Sequence, residues 1–267
     1  MNILNLENSN RKITSTLGNF SVLEYNRDIS VSANNAMTEY FMAEMGVHRR
    51  QVVIKMTGLN TAVLQAGAMQ WMAGDIKIAT DIKGVGDFMG KMFKSSVTKE
   101  TAVKPKYSGT GLLVLEPTYK YIILKEVSEW QSGLVIEDGM FLACEGTVNQ
   151  GITARKNLSS AVLGGEGLFN LSLSGKGVVA LESNVPEDEL IEINLDNDEL
   201  RIDGNMAVCW SNSLEFTVEK ATKSLIGSAV SGEGFVNVYR GTGKVLMSPV
   251  TSTTSLFNAT TSMSAKP

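Results

Sequence analysis

Apolar and polar residues alternate one for one over Ile191-Glu-Ile193-Asn-Leu195, and again over Leu214-Glu-Phe216-Thr-Val218-Glu219. A period of two puts successive side chains on opposite faces, so both segments predict strands with one face buried. Turn chemistry accompanies them: Asp196-Asn197-Asp198 and Asp203-Gly204 read as turns between strands. Helical spacing is rare. Ser32 is placed to cap a helix over residues 33–45, with Ala36, Tyr40, Met42 or Phe41 and Met45 on its apolar side and Gly46 to end it. Val85, Phe88, Met89, Met92 and Phe93 follow the i, i+3, i+4, i+7, i+8 rule, which predicts a second, amphipathic helix. Residues 157–163 and 223–230 are candidates for short helical turns, and 251–267, Ser/Thr-rich without periodicity, reads as a mobile tail.

The strand pattern is repeated. Ser108-Gly109-Thr110-Gly111, Ser174-Gly175-Lys176-Gly177 and Arg240-Gly241-Thr242-Gly243 precede Leu112-Leu-Val-Leu115, Val178-Val-Ala-Leu181 and Lys244-Val-Leu-Met247, and their leading glycines recur every 66 residues. Gly165-Glu-Gly-Leu-Phe169 returns as Gly232-Glu-Gly-Phe-Val236 after 67 residues. A further marker glycine falls at Gly67, Gly139 and Gly204, and five residues after it stand Met72, Cys144 and Cys209. Gly-x-Gly between apolar runs reads as a tight hairpin turn at positive φ. The equivalent thiols read as core side chains, because free cysteine behaves as a small buried hydrophobe. The sequence therefore predicts an all-β chain with three internal repeats of about 66 residues and a few short helices. Residues 1–49 form an N-terminal strand and helix segment packed on the core. Repeat one spans 50–117, with an insertion near 84–106, and repeats two and three span 118–183 and 184–250.

Composition narrows the chemistry. One His excludes two-His metal sites and mechanisms that need separate His acid and base, and two Cys exclude four-thiolate clusters within one chain. A net charge of −4 gives no electrostatic footprint for a phosphate backbone, and 7% aromatics supply no stacking platform, so no nucleic-acid partner is expected. The start has no basic n-region, no run of 18 apolar residues occurs, and a cytoplasmic protein with reduced thiols is expected. Asn157-Leu-Ser159, Asn170-Leu-Ser172 and Asn258-Ala-Thr260 then count as chance glycosylation matches.

Individual motifs are weak. Gly84-Val-Gly86-Asp-Phe-Met-Gly90-Lys91 has gaps of five or three where a phosphate loop needs four, and Met92 where it needs Ser or Thr. The acidic run Asp196-Asn-Asp198-Glu199 with Asp203 has Arg201 and Ala207 where a calcium loop wants Gly and Glu. These carboxylates, with Glu187-Asp188-Glu189, read as solvated strand ends. His48-Arg49-Arg50 is the one compact basic cluster and the candidate contact for an anion or lipid headgroup, because adjacent arginines suit phosphate oxygens. The repeated glycines Gly67, Gly109, Gly111, Gly139, Gly175, Gly177, Gly204, Gly241 and Gly243 are structural turn residues. No catalytic residue, metal ligand or cofactor is assigned.

Gly67-Ala-Met69, Asp138-Gly-Met-Phe-Leu-Ala143, Gly165-Glu-Gly-Leu-Phe169, Gly175-Lys-Gly177, Gly232-Glu-Gly234 and Arg240-Gly-Thr-Gly243 together resemble the altered-inheritance-of-mitochondria 24 family, formerly domain of unknown function 124. The resemblance covers roughly residues 50–250. It implies a β-sandwich or double-stranded β-helix similar in fold to the tryptophan RNA-binding attenuation protein, and assembly as a trimer. It supplies no catalytic residues. RNA binding does not carry over, since positions 110, 176 and 242 are Thr, Lys and Thr rather than a repeated Lys. The expectation is a non-enzymatic, oligomeric scaffold or interaction protein. The alternative is a binding module for a small ligand, an anion or a membrane surface, and an enzyme is the least supported reading.

Overall fold

The computed structural model describes residues 2–79, 104–154, 169–220 and 235–250. All but the last three residues of the expected insertion, its helix, the two candidate helical turns, the leading residues of both Gly-Glu-Gly copies and the tail lie outside the described residues. Of the described residues 61% are in strands and 9% in helices.

Fifteen strands follow one another in the described chain: β1 (Arg11–Leu17), β2 (Phe20–Tyr25), β3 (Arg50–Leu64), β4 (Met69–Ala79), β5 (Lys106–Leu115), β6 (Tyr121–Glu126), β7 (Leu134–Ile136), β8 (Phe141–Glu145), β9 (Val148–Ala154), β10 (Phe169–Gly175), β11 (Val178–Ser183), β12 (Ile191–Asp203), β13 (Ala207–Ser211), β14 (Glu215–Lys220) and β15 (Phe235–Met247). Helix α1 (Ala36–Glu44) lies between β2 and β3, continuing a 3₁₀ turn at Ala33–Asn35. The first sheet runs β1-β2-β3-β8-β11-β6, with β5 on β3 and β4 on β5; the second runs β12-β15-β13-β7-β10-β9, with β14 on β15.

Both sheets curl, and three apolar clusters lie in a row. The first is enclosed by the first sheet alone, through Val22, Ile54, Leu113, Ala143 and Ala180. The third belongs to the second sheet alone, around Val135, Trp210, Phe216 and Tyr239. The middle cluster draws on both sheets, through Cys144, Val179 and Leu181 from one and Leu134, Ile136, Leu173 and Cys209 from the other. Strands β8 and β11 thus wall off the first cluster from the second, and β7 and β13 the second from the third. A strand buried on both faces has no polar side, so Leu134-Val-Ile136, Val178-Val-Ala-Leu181 and Ala207-Val-Cys-Trp210 are unbroken apolar runs. Both cysteines are fully buried and unpaired, as their spacing predicts. Burial pushes each thiol up to about 12.

Four local expectations need correction. Only Gly175-Lys176-Gly177 joins two strands, and there the chain leaves the second sheet as β10 and enters the first as β11 rather than closing a hairpin. The other two Gly-x-Gly copies lie inside β5 and β15, at corners where pairing with a neighbour slips or changes hands. All six glycines do have positive φ. At Gly111, with φ +154°, a Cβ would stand 2.0 Å from the carbonyl oxygen of Ala73, so β4 can approach only a glycine. Asp196-Asn197-Asp198 is a bulge within β12 rather than a turn, with Asn197 at φ +52° and the register slipping between Leu195 and Asp198. Met72 is 38% exposed, unlike the cysteines, because the face of β4 that carries it is not covered by the described chain. Helix α1 starts later than expected, receives no side-chain bond from Ser32 and buries none of its residues.

Candidate binding cleft and its arginine junction

The first sheet has a second apolar face, opposite the first cluster. Along β2 and β3 alternate residues point there: Leu23 and Tyr25, then Gln51 and Val53, joined by Val114 of β5 and Trp71 of β4. The N-terminal residues lie across this face. The carboxylate of Glu7 accepts from the backbone N–H of Ile13 at 2.9 Å, and Arg11 donates from Nε to the carbonyl of Leu6 at 2.9 Å and from Nη2 to that of Asn5 at 2.5 Å. Arg11 also sits over the Tyr25 ring, 5.5 Å from its centre.

Between this segment and the sheet lies a cleft of about 220 Å³, lined by Arg11, Tyr25, Arg49, Gln51 and Gln70 and by the apolar side chains of Leu6, Leu23, Trp71, Val114 and Pro117. Gln51 is its floor. Only 4% exposed, it accepts from the Tyr25 phenol at 2.7 Å and donates to the Leu115 carbonyl at 2.8 Å and to Oε1 of Gln70 at 2.7 Å. Gln70 occupies a bulge of β4, where Met69 and Trp71 face consecutive residues of β5.

The basic cluster is divided by the fold. Arg49 lines the cleft, and its Nη2 is held from behind by the Asp28 carboxylate and by the Tyr119 hydroxyl at 3.1 Å. The single hydroxyl hydrogen of Tyr119 is shared between two carboxylates, Glu39 of α1 at 2.9 Å and Asp28 at 3.1 Å. Burial works against the Arg49 charge, but Tyr119, Asp28 and Glu39 outweigh it and raise its pKa. Arg50 points away from the cleft and is 5% exposed. It pairs with Glu24 at 2.6 Å, donates to the carbonyl of His48 at 3.1 Å and lies 4.1 Å above the centre of the Tyr121 ring. His48 contributes its backbone carbonyl there, while its ring Nδ1 is buried without a hydrogen-bond partner among the described residues. The cluster is therefore a junction joining α1, β2, β3 and the Thr118–Tyr121 region, and Arg49 alone of the three reaches the cleft.

The marker glycines Gly67, Gly139 and Gly204 occupy turns at φ +81°, +79° and +70°. After each the next strand bulges, at Gln70, Leu142 and Val208. The order of turn, bulge and Gly-x-Gly corner is thus built into the backbone, and a family profile described as mitochondrial biogenesis AIM24 matches residues 44–250. The chain belongs to the AIM24 family. A crystal structure of a Streptococcus pyogenes protein, solved as a structural-genomics target, is similar with a TM-score of 0.58 and 24% identity, over 81% of this chain and 94% of that one. At that identity the likeness is one of fold. Comparison with curated proteins gives no match. Among the described residues of this AIM24-family chain, no helix is long and apolar enough to cross a membrane.

Sequence reasoning found Arg49 but missed Arg11, Tyr25, Gln51, Gln70 and Trp71. One signal was available: Gln51 is the sole polar residue opening the run Gln51-Val-Val-Ile54, and an isolated amide on a buried strand asks for partners.

Proposed function

We propose that this AIM24-family protein is a non-enzymatic β scaffold that assembles with further copies of itself, three being the number the family resemblance implies. The observation that carries the reading is the outer side of α1. Met37, Phe41 and Met45 recur at i, i+4 and i+8 and are 74%, 60% and 80% exposed. Yet the helix is pinned: Glu39 accepts from Tyr119 at 2.9 Å, and Glu44 pairs with Arg27 at 3.6 Å. A fixed apolar stripe held in water is a surface for association. Further copies supply identical stripes, and three of them can meet around a threefold axis in a closed cyclic assembly. Light scattering on the full chain at micromolar concentration tests this. The expected species has three times the chain mass, and Phe41→Glu with Met45→Glu is expected to shift it to monomer without changing the circular dichroism spectrum. A wild-type chain that is monomeric throughout overturns the assembly.

A further inference from the structure

We propose that the cleft beneath the N-terminal segment binds a small organic anion, a carboxylate carrying a compact apolar or aromatic body. Charge is the first argument. Among the described residues two guanidinium groups line the cleft and no carboxylate does. Arg49 is neutralised by Asp28. Arg11 instead uses Nε and Nη2 on the uncharged carbonyls of Leu6 and Asn5, and has no carboxylate partner among the described residues. Its charge and its Nη1 hydrogens remain for a ligand.

Amide orientation is the second argument. The Leu115 carbonyl can only accept, so Gln51 turns Nε2 toward it and Oε1 toward the Tyr25 phenol. The remaining N–H of Gln51 goes to Oε1 of Gln70. That fixes which end of Gln70 faces the floor, and leaves its own Nε2 hydrogens unengaged among the described residues. A cleft offering one uncompensated guanidinium and a free amide donor, without a carboxylate, selects anionic oxygen.

Shape and lining set the rest of the ligand. Trp71 and Pro117 give the cleft its accessible apolar surface, Leu23 and Val114 lying beneath it at 1% exposure each, and against that surface a fully hydrated dianion would lose solvent without recompense. One uncompensated charge matches a monoanion. The volume of about 220 Å³ is below the range of roughly 300–1,000 Å³ that holds drug-sized ligands, so the body is no larger than a single ring or a short branched chain.

The test is titration of the full chain with sodium benzoate, followed by the indole N–H resonance of Trp71. Trp130 and Trp210 are 4% and 1% exposed and serve as internal references, and Trp71→Phe assigns the signal. A saturable shift confined to Trp71 is expected, at least tenfold weaker for the uncharged isostere benzamide and for inorganic phosphate. Arg11→Gln is expected to weaken benzoate at least tenfold. Because Arg11 also fastens residues 5 and 6, Gln70→Glu is the second variant: a carboxylate oxygen still accepts from Gln51, while the added negative charge repels the ligand at least tenfold. Benzamide binding as well as benzoate, phosphate matching benzoate, Gln70→Glu binding within twofold of wild type, or no Trp71 shift at tens of millimolar benzoate would each overturn the proposal.

Discussion

Arg49 and Arg50 are neighbours in sequence with opposite tasks, because adjacent residues at the start of a strand face opposite ways. Arg50 is the structural one. Its side chain is 6% exposed, its Glu24 partner 23%, and the Tyr121 ring covers the guanidinium. Replacing it leaves a carboxylate half out of water without a counter-charge, so Arg50→Met is expected to lower stability by about 3 kcal/mol. Urea denaturation checks this through a lower midpoint with an unchanged slope. The cluster His48-Arg49-Arg50 looks in sequence like one positive patch; what it lacks there is any sign of Glu24, Asp28 and Glu39, which the fold brings up from β2, the segment after it and α1. The cysteines were legible for the opposite reason. A small apolar side chain at a repeated distance from a turn glycine needs no distant partner to be assigned to the core, and Cys144 and Cys209 are both there. Met72 obeys the same spacing and fails, since spacing fixes a position on a strand and not whether anything covers that face.

At the scale of elements, glycine is needed for two different reasons. At Gly67 a Cβ meets nothing within 4 Å, and only the left-handed backbone at φ +81° matters. Gly67→Ala is therefore expected to cost about 1–2 kcal/mol. At Gly111 the same methyl would fall 2.0 Å from a β4 carbonyl oxygen, so the two strands must part. Gly111→Ala is expected to cost more than about 3 kcal/mol, and to show it as a lower melting temperature or as insoluble chain. Sequence shows both glycines as turn signals, because it reports the torsional freedom and not the strand lying against it. Across β12, β15 and β14 a polar ladder covers the second sheet: Arg240 bridges Glu219 at 2.6 Å and Glu199 at 2.5 Å, and Arg201 reaches Glu199 at 2.6 Å. The hydrogen bond from Arg240 is the main cause that holds Glu219 down at about 2, from an ordinary 4.5. A carboxylate depressed in the folded state stabilises above its unfolded pKa, and that contribution fades as pH falls from about 4.5 toward 2. Melting temperature followed down this window should drop less steeply in Glu219→Gln than in wild type, and the difference should shrink in high salt, as these side chains are about one-third exposed.

On the scale of the whole molecule, three clusters share their walls. Cys144 comes from the first sheet and Cys209 from the second, yet both lie in the middle cluster. Neither sheet can open without uncovering that cluster, so the two are expected to unfold together. In rising urea, both thiols should become reactive to a thiol reagent over the same transition that removes the far-ultraviolet circular dichroism; one thiol reacting well before the other would separate the sheets. The all-β class and the strands at 191–195 and 214–219 were readable from period two. Which sheet each strand joins was not, because β7, β8, β11 and β13 carry no polar face to count, and an unbroken apolar run is silent about what lies on either side.

The crossing of the chain at Gly175-Lys176-Gly177 also sets a schedule for a chain being synthesised. Every strand of the first sheet lies before residue 184, so that sheet can close while the rest is still to be made. The second sheet cannot. Leu134–Ile136 pairs on one side with β10, but its other neighbour is β13, at residues 207–211. For the time it takes to add some seventy residues, several seconds at typical elongation rates of about 5–20 residues per second, a fully apolar strand waits with one edge open. A nascent chain stalled between these points carries a finished first sheet and a sticky half of the second, which makes this interval the one in which a chaperone, or a neighbouring ribosome's product, would find it.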